Sequence, residues 1–132
     1  MSCNAQPKFG LGIRETDIAL SFPTTTTVGT TNPDRCPKRV AGTTVTYAAT
    51  GVYTVVIPAT FTAGLPYAVE ATPQCDAFAD WFEVIVVGEV TQSGGNMTIV
   101  LQTHRNGVAN APAAAAGSRI NLQIVGSDSG GK

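Results

Sequence analysis

Residues 51–58 read GVYTVVIP. Taken in twos, Tyr53, Val55 and Ile57 point one way and Val52, Thr54 and Val56 the other, which is the period of a β-strand. The second set is nearly as apolar as the first. A strand of this kind needs cover on both faces, from another layer of its own chain or from another chain.

The neighbouring sequence carries the same pattern. TTVTYAAT (43–50) puts Val45 and Tyr47 on one side and reaches GVYTVVIP through a very short link, the mark of a hairpin. LPYAVEAT (65–72) is a further short strand. In CDAFADWFEVIVVGEV (75–90), Phe82, Val84 and Val86 alternate with Trp81, Glu83, Ile85 and Val87. A helix could start near Asp76, but the β-branched VIVV run is poor helix material. We therefore expect a strand over 81–90, buried on both faces for part of its length. TQSGGN (91–96) reads as a loop, and MTIVLQTH (97–104) resumes the alternation through Met97, Ile99 and Leu101. RNGVANAPAAAAGS (105–118) is a loop of small residues. RINLQIVG (119–126) sends Ile120, Leu122 and Ile124 inward, with Asn121 and Gln123 outward. Upstream, DIALSF (17–22) is a plausible strand, and PTTTTVGTTNPDRCPKR (23–39) is a long connection with three prolines.

Seven or eight short strands separated by turn signals predict an all-β chain. The expected architecture is a two-sheet antiparallel β-sandwich, jelly roll or immunoglobulin-like. The organisation that follows is an N-terminal arm and linker over 1–40, a sandwich domain over 41–128 and a flexible tail over 129–132.

Composition agrees with one domain of 132 residues, with 14 Gly and 8 Pro to make turns. Charged residues are 13% and the formal net charge is −1, so the chain has no field to steer it toward nucleic acid or an anionic membrane. No run approaches the ~18 apolar residues of a membrane helix, and the start MSCNAQPKFG has no apolar core of a secretory signal. Synthesis in a cytoplasm is the expectation. Cys3, Cys36 and Cys75 are widely spaced and odd in number, which favours free thiols, with one disulfide as the alternative.

Chemistry-bearing patterns are sparse. His104 is the single histidine, at a strand end in THRNG, and any Ser/His/Asp or Cys/His device would need it. The cysteine and histidine spacings match no common zinc pattern. Asp76, Asp80 and Glu83 lack the oxygen density of a calcium loop. We expect no enzyme, no catalytic residue, no metal and no cofactor. RCPKR (35–39) is the one basic cluster: it reads as a solvated loop, as a contact for an acidic patch on a protein partner, or as a polyanion contact, though nucleic-acid binding would need a wider patch with aromatic platforms.

TGVYTVVIPATF, YAVEAT, FEVIVVGEV, MTIVLQTHRNG and RINLQIVGSDS together resemble small C1q-like and tumour-necrosis-factor-like jelly-roll domains, of the sort found in bacteriophage decoration proteins and fibre heads. Gly51, Tyr53 and Val55 match the early Gly-x-Tyr-x-Val strand, and Ile120, Leu122 and Ile124 fit the closing strand. The resemblance covers about residues 43–128; the collagen-like repeats frequent in the C1q group are absent. It implies a homotrimer that acts as a structural or adhesive head. The function expected from it is a viral structural protein: a trimeric capsid decoration (cement) protein that binds and stabilises the assembled shell from the virion exterior. Its partners would be copies of itself and the major capsid protein or another virion protein. The expected docking residues are Phe9, Leu11, Ile13 and Arg14 of the arm, with Arg35, Lys38 and Arg39. Self-association is assigned to Tyr53, Val55, Ile57, Ile120, Leu122 and Ile124. The alternative is a receptor- or glycan-binding fibre head, for which Trp81, Tyr53 and Tyr67 are the aromatic candidates.

Overall fold

A computed structural model describes residues 14–48, 50–62, 64, 66–109 and 117–128. They form nine strands: β1 (Arg14–Pro23), β2 (Gly29–Thr31), β3 (Thr44–Tyr47), β4 (Val52–Ile57), β5 (Tyr67–Gln74), β6 (Glu83–Ser93), β7 (Asn96–Arg105), β8 (Val108–Ala109) and β9 (Arg119–Asp128). Two short 3-10 turns, Lys38–Val40 and Phe78–Asp80, are the only helical pieces among the described residues. The strands make two antiparallel sheets, ordered β1-β9-β5 and β2-β3-β4-β7-β6, with β8 pairing β7. The chain passes between the sheets after β1, β4, β5 and β8. This is the expected two-sheet sandwich of jelly-roll type.

The core follows from alternation. The small sheet contributes Ile18, Leu20 and Phe22, which stand opposite Ile124, Leu122 and Ile120. The large sheet contributes Tyr53, Val55 and Ile57 opposite Leu101, Ile99 and Met97, with Val45 and Tyr47 alongside. All are buried, and Val40, Phe61 and Phe82 close the gaps between the layers. Each ladder of inward side chains locks its register, because a slip of one residue would turn the whole set to water.

Several expectations need correction. The sandwich does not begin at residue 41: β1 is a full partner of β9, and Val40 is a core residue. The connection 23–39 contains β2, whose three residues are all exposed and so leave no alternation in the sequence. β6 is not buried on both faces. It is the edge of the large sheet, with Val84 and Val86 half-buried inward and Ile85 and Val87 exposed. The expected 91–96 loop is a tight turn in which Ser93 pairs with Asn96 and Gly94 and Gly95 adopt positive φ. β9 runs on through Asp128, and the tail 129–132 lies outside the described residues.

The long connection after β1 is tied down at several places. Ser21 and Arg35 exchange backbone hydrogen bonds of 2.9 and 3.3 Å. The Arg119 guanidinium donates to both carboxylate oxygens of Asp34, at 2.5 and 3.1 Å, and its Nε donates to Ser21 Oγ at 2.9 Å. Asn32 donates to the Thr43 carbonyl at 2.8 Å.

Candidate functional site

The second face of GVYTVVIP looks outward. Val52, Thr54 and Val56 of β4 are half-buried by their lateral neighbours, and no further layer among the described elements lies over them. Pairing extends this face across the sheet. Thr46, Thr54, Val100 and Val87 form one row, and Val52, Gln102 and Ile85 form the next. Val52, Val56, Val100, Ile85 and Val87 therefore share one surface with a threonine margin. Ile85 and Val87 are 43% and 44% exposed, at the open edge of the sheet.

The six residues assigned above to self-association lie elsewhere. Tyr53, Val55, Ile57, Ile120, Leu122 and Ile124 are at most 1% exposed and hold the two layers of one chain together. They cannot also meet a neighbour. Alternation defines two sets on each strand but does not say which set is inside; here the set Tyr53, Val55 and Ile57 is inside and Val52, Thr54 and Val56 face outward.

The predicted docking residues divide. Phe9, Leu11 and Ile13 lie outside the described residues, and Arg14 opens β1. Arg35, Lys38 and Arg39 are exposed and sit beside the free edge of β1. Arg35 is bridged to Ser21, and the Arg39 guanidinium donates to the Asp17 carbonyl. The cluster is thus a cationic rim held along that edge between Asp17 and Ser21. Asp34 beside it is committed to Arg119, whose hydrogen bonds hold its carboxyl below the usual range against a smaller effect of burial.

The outer face of the small sheet has its own relief. Ala19 is small, and Ser21, Arg35, Cys36, Glu70, Thr72, Asn121 and Gln123 surround a hollow of about 400 Å3 above it. Asn121 donates to the Gln74 side chain at 3.1 Å and Gln123 to the Asp17 carboxylate at 3.4 Å, so the amides on this floor are oriented by neighbours.

At the sandwich end formed by the β5–β6 connection, Phe78 is 99% exposed and Trp81 is 41% exposed. The composition contains a single Trp, but nothing in its spacing reveals that the preceding Phe stands in water; that depends on the 3-10 turn. Of the other aromatic candidates, Tyr53 is core, while Tyr67 stacks on Phe61 with ring centroids 5.8 Å apart.

Cys36 and Cys75 are free thiols, and Cys3 lies outside the described residues. His104 is half-buried, opposite Glu83 on β6. Among the described residues no three of His, Cys, Asp and Glu converge in a metal-binding group, and no helix is long and apolar enough to cross a membrane. Comparison with protein families, with curated proteins and with solved structures finds no match for the chain.

Proposed function

We propose that the chain is a structural subunit that acts by self-association and attachment: a trimeric decoration protein seated on the outside of an assembled viral shell. The observation that carries this reading is the uncovered apolar face of the large sheet. Val52, Val56, Val100, Ile85 and Val87 share one outward face, with Thr54 and Gln102 among them, on a chain of only 13% charged residues. Burying about 600 Å2 of such surface per protomer would contribute about 15 kcal/mol before the costs of association. The exposed rim of Arg35, Lys38 and Arg39 supplies the complementary requirement, a cationic contact for an acidic patch on the shell.

In this reading the work is mechanical. A knob that contacts neighbouring shell subunits at once gains affinity by engaging them together, and it resists their separation. Sedimentation velocity at micromolar concentration tests the first half, with a trimer expected. Co-sedimentation with empty viral shells tests the second. A stable monomer that stays in the supernatant removes the proposal.

A further inference from the structure

We propose that the turn Asp76–Trp81 is a recognition site for an organic cation, an alkylammonium or guanidinium group received between the Phe78 and Trp81 rings with the Asp76 carboxylate as counter-ion. This site is separate from the self-association face and does not depend on whether the knob sits on a shell.

The turn is built to present aromatic surface. Asp80 N–H donates to the Ala77 carbonyl at 3.0 Å and Trp81 N–H to the Phe78 carbonyl at 3.4 Å, closing a 3-10 turn. Phe82, the next residue, is buried and anchors it to the core. Arg105, at the end of β7, donates from Nε to the Trp81 carbonyl at 2.8 Å, and its guanidinium lies 5.7 Å from the centre of the Trp81 ring. Arg105 thus contacts both the backbone and the ring of Trp81, and 41% of that tryptophan is still in contact with water. Phe78 has no such support and stands 99% exposed. A Phe and a Trp left in water within four residues forgo the stabilisation that burial would give, and exposed aromatic anchors of this kind are common where a ligand or partner is bound.

The chemistry of the ligand follows from the walls. A cleft of about 270 Å3 is lined by Cys75, Asp76, Ala77, Phe78 and Trp81. Its single charged group is Asp76. The carboxylate lies so close over Gly117 that a Cβ there would approach it to 2.4 Å, so the backbone of Gly117 forms its seat. A saccharide would call for several directional donors and acceptors. Apolar walls with one anion suit a compact cation on a hydrocarbon frame, which ring faces and a carboxylate both attract. Asp80 within the turn and Glu83 just after it add charge of the same sign as Asp76, while the Arg105 guanidinium is engaged with Trp81.

Trp81 is the only tryptophan, so its fluorescence reports on this site alone. The full chain is titrated at constant ionic strength with tetramethylammonium and with N-acetyl-lysine amide. Neopentyl alcohol serves as a neutral isostere and methyl glucoside as a neutral sugar. We expect a saturable change with a cation at millimolar concentration and binding at least about fivefold weaker for the alcohol. Saturation by tetramethylammonium alone assigns a small quaternary compound, whereas saturation by the lysine amide assigns a side chain of a partner. Asp76→Asn should weaken cation binding about fivefold, and Phe78→Ala should weaken it while leaving the circular dichroism unchanged, since that side chain touches nothing in the core. Equal binding of the neutral alcohol, preference for the glucoside, no saturable change with either cation, or an Asp76→Asn variant that binds as before would each overturn the assignment.

Discussion

The Tyr53 ring is enclosed between Phe22 and Tyr47, with centroids 5.7 and 5.0 Å away, and its hydroxyl donates to the Thr25 carbonyl and accepts from the Thr25 N–H, both at 3.2 Å. That side chain therefore both fills the core and fastens the threonine-rich segment that follows β1. Tyr53→Phe keeps the ring and removes the fastening. It should lower stability by about 1–2 kcal/mol, seen as a lower urea midpoint at unchanged slope. Burial raises the Tyr53 pKa above its ordinary value, with the Thr25 hydrogen bond opposing this. The folded chain thus holds the phenolic proton more tightly than the unfolded chain. Its contribution is complete below about pH 10, where the unfolded phenol titrates, and is lost as pH rises toward the folded value. The urea midpoint of the native chain should fall more steeply than that of the Phe variant above about pH 10; parallel slopes would contradict the assignment. Gly126 gives a second test at this scale. A Cβ there would come within 2.4 Å of the Phe61 ring, which packs over Gly126 and stacks on Tyr67, the cross-strand partner of Gly126. Gly126→Ala should displace Phe61 and lower stability by about 1–3 kcal/mol in thermal melts.

The strands differ in how much of them a sequence can reveal. β1, β4, β7 and β9 are legible because each alternates against the opposite layer, as Ile18, Leu20 and Phe22 do against Ile124, Leu122 and Ile120. β2 is illegible because Gly29, Thr30 and Thr31 are all exposed: they pair with β3 through the backbone and through a 2.8 Å hydrogen bond between the Thr30 and Thr46 hydroxyls, and bury no side chain. β6 misleads for the opposite reason. Its valines and isoleucine read as doubly buried, but apolar content does not tell a central strand from an edge strand whose outer face is exposed. The same limit led to the self-association set: two parities are visible on β4, and nothing local to the strand says that Tyr53, Val55 and Ile57 belong to the chain's own core. The outer parity is now a separable element. Ile85→Lys together with Val87→Lys alters side chains that are over two-fifths exposed, so stability should change by less than about 1 kcal/mol. If this face joins protomers, the same pair should shift the sedimentation profile to a monomer. Val55→Ala, in contrast, should lower the melting temperature and leave the interface surface untouched. An unchanged oligomer in the lysine variant would separate the apolar face from assembly.

For the whole molecule, the division of labour lies between a sandwich that folds on its own contacts and the chain attached to its β1 edge. Among the described residues, the seventeen that make up the core fall between Ile18 and Ile124. If the contacts within that core suffice for folding, removing residues 1–13 should leave the melting temperature within about 2 °C of the full chain. Its effect on attachment is the informative quantity. In the proposed role, Phe9, Leu11 and Ile13 add apolar contact with the shell, while Arg35, Lys38 and Arg39 add charge from the rim beside β1. These two contributions respond differently to salt. The rim's share should fall as ionic strength rises past the point where the screening length is about 10 Å, and the arm's share should not. The truncated chain should thus retain a weak, salt-sensitive association with empty shells. A full-length chain carrying Arg35→Glu and Lys38→Glu should retain a weak, salt-resistant one. Arg39 is left in place in that variant because its bond to the Asp17 carbonyl fastens the 3-10 turn to β1, and its loss would mix folding with docking. Co-sedimentation of both variants across a salt series separates the two contacts, and identical salt responses would show that arm and rim are not distinct attachment sites.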